Sequence, residues 1–215
     1  MRKIIPPREL DVYIPEKKVA VEFNGMYWHS DVFTTTEYHQ QKSVDCFAQG
    51  VRLLHIFEDD WERDEELCKD MILGTFGFYD AEIDALECDI KSLPIDEYNQ
   101  FCIENHIKQS PGFVNTYGMY LKDELVCVFG HSEDIEGNRL VSYTPKKKYH
   151  IENPVPVIMK FLSCSEMWVV YDAGTEFVDV LDCEYSLIPP KLRYKKSSFS
   201  VYDAGEIVVH YVSQE

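Results

Sequence analysis

The chain has 215 residues, 45% of them apolar, enough to bury one proper core or two small ones. Its 38 acidic residues outweigh 21 basic ones, and a formal net charge of −17 excludes a general polyanion binder. Seven scattered cysteines without a CxxC pair exclude a zinc finger, and no apolar run reaches the roughly 18 residues that span a bilayer. The opening MRKIIPPREL has no signal-peptide h-region. The expectation is a cytoplasmic protein with reduced thiols and no membrane partner.

Residues 9–14 alternate, with Leu10, Val12 and Ile14 on one face and Glu9, Asp11 and Tyr13 on the other. After a turn at Pro15 to Lys18, residues 19–24 alternate again, setting Val19, Val21 and Phe23 against Ala20, Glu22 and Asn24. Two strands so closely joined predict a hairpin whose apolar face packs inward. A helix is expected from about Glu37 to Gln49, with Tyr38, Val44, Phe47 and Ala48 as its apolar side and Gly50 as its stop. Residues 51–57, VRLLHIF, read as a buried central strand, and a second helix follows over 61–73. A boundary falls near 80–92, dividing a domain at 1–85 from one at 86–215. The second is expected to be α+β, with a helix at 94–106 and strands at 116–121 and 124–130. A helix near 154–164, a strand at 167–171 and one or two strands within 199–212 complete it. The tetrapeptide YDAG occurs at 171 and again at 202, and two copies of a turn do not make a repeat architecture.

Two carboxylates on one face of a hairpin repel each other unless a cation intervenes. Asp11 and Glu22 are so placed, with Glu9 and Asn24 extending the face. Oxygen ligands of this kind suit Mg²⁺ or Mn²⁺, which polarises a phosphodiester and activates water. The same pattern also describes an ordinary solvated hairpin face. His55 reads as a structural histidine on a buried strand, and Glu58, Asp59 and Asp60 as the acidic start of a helix.

The strings ELDVYIPEKKVAVEFNGMYWHSD, YHQQK and GVRLLHIFEDDW together resemble one branch of the PD-(D/E)XK nucleases. That branch includes the very-short-patch mismatch-repair endonuclease and phage homing endonucleases. The resemblance covers roughly residues 2–73 and implies a restriction-endonuclease-like α/β fold, a mixed sheet with flanking helices. It matches Asp11 to the metal-binding Asp, and Gly25, Trp28 and His29 to the Gly-x-x-Trp-His loop. Lys42 then lies on the helix, and Glu58 to Trp61 close the last strand. It implies a catalytic set of Asp11, Glu22, His29 and Lys42, with Asp11, Glu22 and the Phe23 carbonyl as metal ligands. His29, or else His39, would be the general acid or base, and Lys42 would stabilise charge on the phosphate. Where the wider pattern carries a Lys two residues after the acid, this chain has Asn24, and Lys42 is expected to supply the cation instead. The family carries a helix ahead of the first strand, and none is expected in the few residues before Glu9.

Residues 101–130 and 201–209 resemble the C-terminal module of phage homing endonucleases, a degenerate acetyltransferase-like fold. Residues 146–158 lack the glycine-rich stretch for a cofactor pyrophosphate, so no acyl-CoA chemistry is expected. Basic residues among tyrosines suit phosphate contact and base stacking. They form two candidate DNA-binding clusters, Lys146, Lys147 and Lys148, and Arg193, Lys195 and Lys196. The leading expectation is a Mg²⁺-dependent (or Mn²⁺-dependent) DNA endonuclease of homing type, acting in the host cytoplasm if phage-encoded, alone or as a homodimer. The alternative is a nuclease-derived acidic protein, catalytically inert, that binds a protein partner.

Overall fold

A computed structural model describes residues 4–25, 36–106, 113–133, 137, 139–172, 191–195 and 206–212, with positions 36–38, 40, 170–172 and the last two segments given by backbone alone. These residues form a mixed α/β structure with three sheets and five α-helices. Two compact units divide the chain, the first mainly residues up to Gly77 and the second mainly Phe78–Val170.

The first unit starts from the expected hairpin. Strands β1 (Val12–Ile14) and β2 (Val19–Asn24) pair antiparallel, Val12 facing Val21, across a turn in which Lys18 takes φ 52°. Helix α1 (Thr36–Ala48) crosses over to β3 (Arg52–Phe57), which pairs parallel with β2 in the register Glu22 to His55. Gly50 ends α1 at φ +66°, a conformation open to a residue without Cβ. β2, not β3, is the central strand of this three-stranded sheet. β3 is nonetheless buried over Leu53–Phe57, as suits a parallel strand with α1 and α3 both packed against it. The expected 61–73 helix is two, α2 (Glu58–Arg63) and α3 (Glu65–Thr75). The break falls at Asp64, whose carboxylate caps α3 by accepting from Leu67 N at 3.0 Å.

Alternation misjudged which hairpin face is covered. Val19 and Val21 are buried, but Phe23 is 49% exposed against the edge of Trp61, and Val12 is 48% exposed. Helix α1 lies over the other face, where Ala20, Leu53 and Cys46 join Ile5, Leu10 and Val51 in one core cluster. The chain bends at Asp11, so Leu10 and Val12 do not share a face. Correspondingly, α1 turns inward not the apolar side expected but His39, Lys42, Ser43 and Cys46, all buried.

The second unit holds β4 (Ala81–Asp84), a 3₁₀ turn, β5 (Asp89–Ser92) and α4 (Ile95–Asn105), then β6 (Asn115–Leu121) and β7 (Glu124–Glu133). Next come β8 (Arg139–Pro145), β9 (Tyr149–Glu152), α5 (Pro154–Phe161) and β10 (Glu166–Asp172); β11 (Lys191–Lys195) and β12 (Glu206–Val212) end the described chain and do not belong wholly to this unit. The large sheet runs β11-β12-β10-β8-β7-β6-β5, while β4 and β9 form a separate parallel pair. α4 sets Tyr98 and Cys102 into a core with Leu93 and Val128. Tyr117, Phe129 and Phe161 pack as an aromatic cluster. Gly130 is required by close approach: a Cβ there would stand 2.5 Å from Cβ of Phe113. The second YDAG copy lies outside the described residues.

Candidate functional site

Hairpin pairing places Asp11 beside Glu22, and their main chains lock the pair. Phe23 N donates to Asp11 Oδ2 at 3.0 Å, and Asp11 N donates to Glu22 Oε2 at 3.2 Å. Each carboxylate thus accepts from the backbone next to the other. From α1, Lys42 Nζ donates to Glu22 Oε1 in a salt bridge whose side chains are 2% and 14% exposed. Burial drives the Glu22 carboxyl above its ordinary range, and the Asp11 charge adds to this, while Lys42 pulls the other way. Asp11 Oδ1 accepts no hydrogen bond among the described residues.

Behind this trio lies a buried polar layer. Asn24 Nδ2 meets His55 Nδ1 at 3.1 Å, and His55 Nε2 meets Ser43 Oγ at 2.9 Å. His39 packs edge-on to His55 and Phe57, at 5.7 and 6.0 Å between ring centroids. Cys46 closes the layer, its thiol pushed up to about 12 chiefly by burial, so it lines the site as a neutral group. Arg8 is ion-paired with Asp45 on the same helix, tying the incoming chain to α1.

Three of the four expected catalytic residues, Asp11, Glu22 and Lys42, therefore meet. His29 and its Gly-x-x-Trp-His loop partner Trp28 lie outside the described residues. His39, on the inward face of α1, is buried. Glu9 is exposed. Asn24, at the position of the usual lysine, points under α1 rather than to solvent. Asp60 is buried and ion-paired with Arg63 within α2, so it serves that helix. The residues that sequence reasoning missed as a group are Asn24, Ser43 and His55. A signal existed, since His39, Lys42, Ser43 and Cys46 repeat at the helical spacing of a buried face.

Among the described residues no group of three or more His, Cys, Asp and Glu side chains is placed to hold a metal ion. Asp11 and Glu22 offer two hard carboxylates side by side, and a backbone carbonyl such as that of Phe23 would complete the oxygen set that Mg²⁺ or Mn²⁺ takes. In the second unit, Lys146, Lys147 and Lys148 form the turn between β8 and β9. Lys146 Nζ donates to Glu124 Oε1 at 2.6 Å and lies 5.0 Å from the centre of the Tyr149 ring. Tyr149 also donates to that oxygen at 2.8 Å. Lys148 sits at φ 66°, and its carbonyl accepts from Asp80 N. Arg193 and Lys195 fall on β11, whose side chains are not described, and Lys196 lies outside the described residues. No helix among the described residues is long and apolar enough to cross a membrane.

No family model, curated protein or solved structure matches the chain.

Proposed function

We propose that the chain is a metal-dependent DNA endonuclease of the PD-(D/E)XK kind, hydrolysing phosphodiester bonds, with a restriction-endonuclease-like first domain. In the second domain, a degenerate acetyltransferase-like module positions the target. The observation that carries this is the contact of Asp11, Glu22 and Lys42 on one face of a hairpin. Asp11 and Glu22, with the Phe23 carbonyl, would hold Mg²⁺ or Mn²⁺. Bound there, the ion supplies Lewis-acid polarisation of the phosphate and a water of lowered pKa. Burial raises the Glu22 carboxyl and Lys42 pulls it back, toward the ionised form that a metal ligand needs. His29 takes or gives the proton at the reacting oxygen.

The test is plasmid cleavage in Mg²⁺ or Mn²⁺ by wild type and Asp11→Ala together. Wild type should nick or linearise the plasmid and the variant should not. A folded wild type that binds no Mn²⁺ and cuts nothing in either metal overturns the proposal.

A second reading, an acidic protein that binds a protein partner, is favoured by one observation. Glu124 already engages Lys146, in a chain of net charge −17. DNA affinity measured in Ca²⁺, which fills such sites with little cleavage, separates the two. An endonuclease should bind with steep salt dependence, and an acidic partner-binder should not bind at low salt at all.

A further inference from the structure

A buried polar stripe on a helix is expensive unless every group is satisfied. Helix α1 carries such a stripe, and its ammonium group, on Lys42, must meet one carboxylate oxygen on a neighbouring strand. Lysine is ill suited to this unaided, because its long stem has many rotamers and its ammonium no preferred plane. Something must fix the height and rotation of α1 over β2 and β3.

Among the described residues, His55 has a side chain hydrogen-bonded to both β2 and α1. Its place follows from register: His55 is the parallel partner of Glu22, so the two share a face beneath α1. One ring nitrogen meets Asn24, two residues beyond Glu22 on β2. The other meets Ser43, the residue after Lys42 on α1. An amide nitrogen can only donate, so His55 Nδ1 accepts from Asn24 and the ring proton sits on Nε2, donated to Ser43 Oγ. The neutral imidazole is thus a rigid spacer between strand and helix, with opposite roles at its two ends.

We propose that His55 is a positioning residue which, through Asn24 and Ser43, sets the helix so that Lys42 reaches Glu22. This rests on the endonuclease reading only for its kinetic arm. It also gives Asn24 a role: at a position where a catalytic lysine would project outward, the chain carries the amide that orients His55.

The experiment compares wild type, Ser43→Ala, His55→Leu and His55→Gln by nitrogen-15 NMR and by cleavage kinetics. In wild type, His55 should show Nε2 protonated and Nδ1 bare. The Lys42 ammonium should give a slowly exchanging signal, because it is buried and held. Ser43→Ala and His55→Leu should lose that ammonium signal. Their kcat should fall by about ten- to a hundred-fold, as for other outer partners of ligand groups, with KM within about twofold. His55→Gln, which places an amide near Nε2 and can still donate to Ser43, should recover part of both. Ser43→Ala removes a single oxygen and decides the matter if His55→Leu does not fold. Ser43→Ala with the ammonium signal and kcat at wild-type values overturns the inference, and so does a wild-type ring protonated on Nδ1. If wild type cuts no DNA, the endonuclease reading falls alone, and the ammonium signal still decides whether His55 positions Lys42.

Discussion

Lys42 is among the most deeply buried side chains of the first unit, and that changes what its removal should do. As an exposed charge donor it could be truncated without harm to folding. As the buried partner of Glu22 it cannot, because its loss leaves a carboxylate under the helix without a counter-charge. Lys42→Met, which keeps the stem volume, should lower stability at pH 7 by about 3 kcal/mol in urea denaturation. The loss should depend on pH in a definite direction. The Glu22 carboxyl is raised in the folded chain, and removing Lys42 raises it further. The folded state then holds that proton more tightly than the unfolded state, so stability is retained in acid and lost as pH climbs upward from the ordinary value of 4.5. In metal-free buffer the variant should lie near wild type at about pH 4 and diverge toward neutrality. A gap that is constant with pH would place the cost in packing instead.

At the scale of elements, two substitutions test why the chain breaks and packs where it does. Asp64→Ala removes the cap that starts α3 and should cost about 1 kcal/mol, with the site unaffected. On β7, Gly130→Ala drives a methyl into Phe113 and should cost about 1–3 kcal/mol by the same denaturation assay. These elements also show what the sequence made legible. Hairpin, α1, β3, α4, β6 and β7 were readable, because alternation, helical stops and short polar turns are local properties. The meeting of Asp11, Glu22 and Lys42 was readable as well, through the hairpin and the resemblance. The covered face of the hairpin was not. Ala20, Glu22 and Asn24 score as the polar side, yet α1 lies over them, since a small alanine and paired polar groups leave room for a helix. The break at Asp64 was hidden because acidic residues are as much at home in a first helical turn as at a cap. Strands β8 and β9 were missed for the opposite reason. Lys146 to Lys148 drew attention as a charge cluster and obscured the strands they join.

For the whole molecule the decisive quantity is where positive charge remains available on a chain of net −17. Lys146 is paired with Glu124, whose carboxyl it pulls below its ordinary range together with Tyr149. If this turn contacts DNA, binding must break that pair or compete with it. Glu124→Gln should therefore strengthen DNA binding in Ca²⁺ and steepen the logarithmic salt slope by about 0.9, one phosphate contact. Replacing Lys146, Lys147 and Lys148 together by Glu should flatten the slope by about two to three. Unchanged affinity and slope in both variants would remove this turn from the DNA surface and favour a protein partner.

The order in which the site's groups come together has a kinetic consequence. Asp11 and Glu22 are joined through a tight turn at Pro15 to Lys18, whereas α1 arrives with the parallel pairing of Val19 and Arg52, closing a loop of about thirty residues. In a refolding chain the two carboxylates thus meet before the lysine that relieves them, and the barrier is crossed with their repulsion unbalanced. Stopped-flow refolding at neutral pH should accelerate as sodium chloride screens that repulsion. Asp11→Asn should refold faster than wild type at low salt and respond less to added salt. If Asp11→Asn instead refolds at the wild-type rate with the same salt response, α1 docks first and the lysine waits for the hairpin.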